Sequence, residues 1–322
     1  MSIIQSLLTA AVALLTTLHV AAQGYPSKPI KMIVPLPPGG GQDIVARAVS
    51  ERLAARLGQP IVIENKPGAT GNIGTEFVAR SAPDGYTLLL SGVSSSAIGV
   101  TYYRKLGYDI RRDLAPVTLI GHGTTVLIVT PGLKANSVAE LIALAKAKPG
   151  ELNFASNGAG GFFHLTGEMF KQAAGIDALY VPYKGTAQFV PDIMDGRISF
   201  ALDNVPAYLA HIKTGKVRAL AVGSRERSLL LPDLPTLSES GLPGFEASAT
   251  YALMAPAGTP KDIVALLNRE ANVVLLQKDL RDKLAAQGIV LGGGTPEELQ
   301  AFTAGAVTKW AKVIRDANIT PE

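Results

Sequence analysis

Short apolar runs alternate along the chain with segments of helical spacing. Runs at residues 30–35, 60–64 and 87–90 read as strands, with helices over 43–57 and near 73–80. This alternation is that of parallel α/β layers. From 91 to 113 it pauses in a stretch rich in Ser, Gly and Tyr, which reads as a loop. Runs at 117–120 and 126–129 then read as strands that leave the first sheet and begin a second. The second set continues with a helix started by Ser137, with Glu140 three residues on as a capping box, and with strands near 153–155, 179–181, 198–202 and 217–222. A Pro/Gly-rich connection, 231–244, carries the chain back, and 251–255 rejoins the first sheet. Thr259-Pro260 and Thr295-Pro296 each place an N-cap before an N1 proline, so the last third reads as helices over 261–276, 279–287 and 296–317 covering the first domain. The pattern predicts a discontinuous first domain, 23–124 with 248–322, and a second domain, 125–247.

Two glycine-rich strand-to-helix turns stand out, PLPPGGGQDIVAR from Pro35 to Arg47 and NFASNGAGGFFHLTGE from Asn153 to Glu168. A helix that opens at glycines leaves backbone N–H groups free for an anion, and the carboxyl ends of strands in open sheets are where ligands bind. Pro38 stiffens the first turn, and Gly39 and Gly40 let a ligand approach the backbone. In the second, Ser156, Asn157, Gly158 and Gly160 offer polar side chains and unshielded amides. Asp43 either pairs with Arg47 four residues on or, facing the cleft, orients the loop or takes a ligand ammonium group; a carboxylate there repels an anionic ligand. Asp203, after a strand and before Pro206, holds a ligand amine or caps a helix. Ser94, in the serine cluster at another strand end, is a candidate hydroxyl contact.

Composition removes several alternatives. Residues 2–22 carry no Lys, Arg, Asp or Glu, and an apolar core at 7–18 has the length of a signal-peptide h-region, short for a membrane span. Val20-Ala21-Ala22 places cleavage after Ala22. Met1 to Gln5 lacks a basic residue, which leaves a misassigned start or an uncleaved anchor as alternatives. The 30 basic and 26 acidic residues give a net charge of +4, too mild and too evenly spread for a nucleic-acid groove. With no Cys, thiol catalysis and Cys-ligated zinc are excluded. GxxxxGK followed by Ser or Thr, GxSxG and HExxH are all absent. His164 and Glu168 stand four apart on one helix; with no second His or Cys nearby they read as a salt bridge or core histidine rather than a metal site. No catalytic residue, metal or cofactor is assigned.

The runs YPSKPIKMIVPLPPGGGQDIVAR, LGQPIVIENKPGATGNIG, PDGYTLLL, HLTGEMF, VPYKG, LPDLPTLSESGLPGFEA and APAGTP, in that order from Tyr25 onward, resemble the Bug family, the solute-binding proteins related to tripartite tricarboxylate transporters. The resemblance extends to Ile319. It implies the type II periplasmic-binding-protein fold: two Rossmann-like α/β domains, a central cleft and a two-strand hinge. It also implies a periplasmic monomer that captures a small carboxylate (a di- or tricarboxylate, an amino acid or an aromatic acid) and delivers it to membrane permease subunits. The family's two facing loops match Leu36 to Asp43 and Ser156 to Gly160, and its acidic position after a second-domain strand matches Asp203. The chain departs from the family pattern at Phe162 and Phe163, where small or hydroxyl residues are usual, and at Leu36, where Phe or Tyr is common. If either ring faces the cleft, the ligand carries an apolar or aromatic body or the room for bridging water shrinks. A ligand-sensing subunit of a signalling receptor and a periplasmic hydrolase are the alternatives.

Overall fold

The computed structural model describes residues 24–321; the leader expected at 1–22 lies outside them. Strand β1 (Ile30–Val34), helix α1 (Gly41–Leu57), β2 (Ile61–Asn65), α2 (Asn72–Ala79) and β3 (Thr87–Gly92) follow the predicted alternation, and β1 pairs parallel with both β2 and β3. The segment read as a loop is instead the end of β3 followed by α3 (Val93–Tyr102). Ser and Gly are poor helix formers in isolation, yet Val93, Ala97 and Ile98 are buried in the core, and tertiary packing overrides propensity.

Strand β4 (Leu114–Gly123) remains in the first sheet rather than leaving it; the second sheet begins with β5 (Thr125–Val129). There follow α4 (Val138–Ala147), β6 (Asn153–Asn157), α5 (Phe162–Ala174), β7 (Leu179–Tyr183), α6 (Thr186–Met194), β8 (Phe200–Asn204), the short α7 (Leu209–Lys213) and β9 (Arg218–Val222). The chain returns through β10 (Ala249–Pro256) and ends with α8 (Lys261–Leu275), α9 (Lys278–Ala285), β11 (Ile289–Leu291) and α10 (Pro296–Asp316). Helix α8 is capped by Pro260 rather than Thr259, whose hydroxyl donates to the Pro256 carbonyl instead. Pro206 lies in a 3-10 turn, Val205–Ala207, rather than an α-helix. Thr295 and Glu298 form a complete capping box on α10.

Both sheets are mixed rather than parallel. The first has the order β11-β4-β10-β3-β1-β2, with β10 antiparallel to β3 and β4; the second has the order β7-β6-β8-β5-β9, with β5 antiparallel to β8 and β9. Strand β5 is buried along its whole length, which is why it reads as an unbroken apolar run. The two domains are joined by the step from Gly123 to Thr125 and by the return after β9. These crossings are tied together: the Gly223 amide donates to the Thr125 carbonyl at 2.9 Å, and the Thr125 hydroxyl donates to the Ala247 carbonyl at 2.7 Å. One apolar cluster runs through both domains, from Ile33 and Leu89 to Phe154 and Phe200, and Trp310 of α10 belongs to it. Helix α10 packs along α3 and also reaches α5, where the Gln172 amide donates to the Val313 carbonyl at 3.2 Å.

Candidate functional site

Three helices begin at one place between the domains. Helix α1 starts after Gly40, α3 after Gly92 and α5 after Gly161, and none of these N-caps has a side chain to bond the first-turn amides. In α1 the first amide bonded within the helix is that of Ile44, to the Gly40 carbonyl; in α5 it is that of Leu165, to Gly161. The starts converge on a cavity of about 170 Å³. From the first domain it is lined by Leu36, Gly40, Gly41 and Gln42, by Gly92, Ser94 and Ser95, and by Ala249, Thr250 and Tyr251 of β10. The second domain contributes Asn157, Phe162, Phe163 and Asn204.

Two buried polar groups in this lining lack protein partners. Tyr251 is 5% exposed, and its hydroxyl has no hydrogen bond among the described residues; burial pushes its pKa up to about 12, so it is a neutral donor. It stands so close to the loop that a Cβ on Gly41 would lie 2.5 Å from it, which explains why glycine is required there. Gln42 is equally buried and its Oε1 has no partner, which leaves an acceptor for a ligand hydroxyl or a bridging water. No Asp, Glu, Lys, Arg or His lines the cavity.

Of the residues read from the sequence, Leu36, Gly40, Ser94, Asn157, Phe162 and Phe163 line this cavity. The others are not part of its lining. Gly39 and Asp43 are bonded to each other, the Gly39 amide donating to the Asp43 carboxylate at 3.0 Å, and Pro38 precedes them in the same turn. Asp43 also accepts from Arg47 at 2.9 Å and Asn65 at 3.1 Å; the Arg47 hydrogen bond, then the Gly39 and Asn65 bonds, hold its carboxyl below the usual range against the opposing effect of burial. It is therefore a brace for the first loop. The Ser156 hydroxyl donates to Tyr180 at 3.1 Å, and the Gly158 amide donates to the Tyr183 carbonyl at 2.8 Å. Gly160 has a φ of +66°, and a Cβ there would overlap the Tyr102 ring at the end of α3, so it allows the two domains to approach.

Asp203 is fully buried beside the cavity. Its carboxylate accepts from the Thr186 hydroxyl at 2.6 Å, the Asn204 amide at 2.7 Å and the Tyr208 hydroxyl at 3.2 Å. Burial pushes its pKa up to about 6, against the lowering effect of those bonds. Its neighbour Asn204 reaches the cavity in its place. His164 is a core histidine: its Nδ1 accepts from the Gly160 amide at 3.1 Å, its ring stacks on Tyr180 at 3.9 Å, and Glu168, 3.9 Å away, pairs more closely with Lys171 at 3.0 Å.

Gly41 and Gln42 belong to the first loop and Ser95 to the serine cluster, both singled out from sequence; the lining residues that sequence reading passed over are Gly92, Asn204, Ala249, Thr250 and Tyr251. Asn204 adjoins the candidate Asp203. Tyr251 and its neighbours carried no local sign, because they read as part of a buried strand.

The family described as the tripartite tricarboxylate transporter family receptor matches residues 45–319. The chain belongs to that family. Among curated relatives, Protein BugT of Bordetella pertussis is 43% identical over 298 residues, covering 92% of this chain and 91% of that protein. Among solved structures, Rpa4515 of R. palustris with adipate is 36% identical with a TM-score of 0.82, covering 92% of this chain and all of the other. MatC from Rhodopseudomonas palustris with bound malate is 30% identical with a TM-score of 0.77, over 90% of this chain and all of the other. The two-domain arrangement of this family member is the type II periplasmic-binding-protein fold.

Proposed function

We propose that this receptor captures a small carboxylate in the cleft between its domains and presents it to the membrane subunits of a tripartite tricarboxylate-type transporter. It acts in the periplasm, as a monomer, after removal of the leader following Ala22. The observation that carries the reading is the convergence of three uncapped helix starts on one cavity that also holds the unpartnered Tyr251 hydroxyl. Leu36, Gly40, Ser94 and Asn157, with Gln42 and Tyr251, form the binding surface. Asp43 and Asp203 brace the turns that carry it, and Pro38, Gly39, Ser156, Gly158 and Gly160 set the backbone of the two loops. The relatives that hold adipate and malate support the ligand class.

Magnitudes say how such a site works. Three helix starts contribute roughly 1–3 kcal/mol to an anion, whereas micromolar affinity needs about 8 kcal/mol. Hydrogen bonds to a charged group contribute about 1.5–3 kcal/mol each, so two or three direct bonds in a cleft closed to solvent make up the difference. The absence of a cation from the lining is consistent with this division of labour.

The test is a thermal-shift titration of the purified mature protein with a panel of mono-, di- and tricarboxylates. An acid at about a hundred times its Kd adds about 2.7 kcal/mol of stability, readily seen as a rise in Tm. If no acid moves Tm at millimolar concentration, the reading is wrong.

A further inference from the structure

The second wall of the cavity differs in chemistry from the first. The first supplies amides, the Gln42 side chain and the Tyr251 hydroxyl; the second presents a pair of phenyl rings at the start of α5. Phe162 and Phe163 meet edge to face, with centroids 5.1 Å apart. Behind them Phe162 meets Trp310 of α10 in the same geometry at 5.6 Å. Phe162 is thereby locked in the core, whereas Phe163 is only partly buried and borders the cavity. Across from it, Leu36 is the apolar member of the first loop.

This arrangement has one anion-binding pole and one apolar slot. A ligand that satisfies both places its carboxylate against the amides of α1 and the Tyr251 hydroxyl and its body between Leu36 and Phe163. The volume, about 170 Å³, lies below the roughly 300 Å³ at which drug-sized sites begin, so that body is no larger than about one ring. A flat ring gains an edge-to-face contact with Phe163 that a chain of methylenes does not, because the ring quadrupole rewards that geometry beyond simple area burial. The cavity itself offers no cation to a second carboxylate; Lys309 lines a neighbouring pocket that shares Ser94 and Thr250 with it.

We infer that this receptor selects a carboxylate with a single aromatic ring, and that Phe163 is the residue that reads the ring while Phe162 and Trp310 hold it in place. The inference rests on the carboxylate-binding reading given above and specifies the class of acid.

Calorimetric titration of the purified mature protein with matched acids tests it: benzoate against hexanoate, and isophthalate against adipate. The charge is equal within each pair and only the body differs. The aromatic member is expected to bind about tenfold more tightly in each pair. Phe163→Ser is expected to abolish that preference, weakening the aromatic acids about tenfold and the aliphatic ones less than threefold, while Phe163→Tyr keeps it. If the aliphatic acids bind as tightly as the aromatic ones, or if Phe163→Ser weakens both members of a pair equally, the ring-selection inference is overturned and the carboxylate reading stands. If all four acids and the wider carboxylate panel fail to bind a protein that still melts cooperatively, both are overturned. Circular dichroism on each variant shows that a change in affinity is not a loss of fold.

Discussion

The buried histidine behind the second wall makes a quantitative prediction about acid stability. His164 is 7% exposed and accepts the Gly160 amide through Nδ1, so its proton is on Nε2 and the ring is neutral. Burial, and then the charge of Lys171, depress its pKa from 6.5 to about 4. As the pH falls through 6.5 the unfolded chain takes up a proton that the folded protein refuses. Stability is therefore full above 6.5 and is lost progressively down to about 4. Between pH 7.5 and pH 4.5 this linkage removes about 2.5 kcal/mol, at about 1.36 kcal/mol per unit. His164→Asn keeps an acceptor for the Gly160 amide and removes the titration. Loss of the stack on Tyr180 lowers the variant's stability at both pH values and cancels in the difference. Urea unfolding of both proteins near pH 7.5 and near pH 4.5 is the assay. The gap between wild type and variant is expected to shift in the variant's favour by about 2.5 kcal/mol on acidification. An unchanged gap would show that the imidazole is not held neutral by the fold, and the argument would fail.

Asp203 titrates in the opposite sense. With a folded pKa of about 6, above its ordinary 3.8, it adds stability that is complete below 3.8 and is lost as the pH rises through 6. Asp203→Asn should therefore lose about 2 kcal/mol more than wild type on going from pH 7.5 to 4.5 in the same unfolding assay. Tyr251→Phe removes a hydroxyl that makes no hydrogen bond within the protein, so the free protein should unfold at about the same urea concentration while its best carboxylate ligand binds about tenfold more weakly in calorimetry. Gly41→Ala places a methyl 2.5 Å from the Tyr251 hydroxyl, which must shift, and should abolish the ligand-induced rise in Tm, with far-UV circular dichroism unchanged. Trp310 is the only tryptophan in the chain and touches Phe162, so ligand binding should change its fluorescence, and Phe162→Ala should suppress that change.

Much of this site is legible from sequence for a local reason. Gly40 and Asn157 belong to strand–glycine–helix turns whose chemistry is written within a dozen residues, and Phe162-Phe163 announces itself by falling at a helix start. What escapes is decided by distant partners. Asp43 takes the partner its sequence suggests, Arg47, but nothing nearby in sequence shows that Asn65 also reaches it, and Asp203 reads as an amine site or a helix cap because Thr186 and Tyr208, which hold it, are set by the fold. Tyr251 is indistinguishable from a core strand residue until the return of β10 sets it beside Gly41. The same cause hid α3: Ser94 to Ser96 suggest a loop, and only the packing of α10 along that segment makes it helical. Strand β11, three residues long, is too short to leave a period of its own.

The two sheets also differ in how they can be assembled. The second takes all five of its strands from one unbroken stretch, β5 to β9, whereas the first needs β10 and β11 from beyond that stretch to stand beside β3 and β4. As the chain emerges N-terminus first, the second sheet has every strand it requires while the first is still waiting for its centre. Contacts between partners so far apart in sequence form late. The cavity's lining includes Ala249, Thr250 and Tyr251 of β10, so its lining is complete only once that strand has joined the first sheet, after the whole second domain has been made.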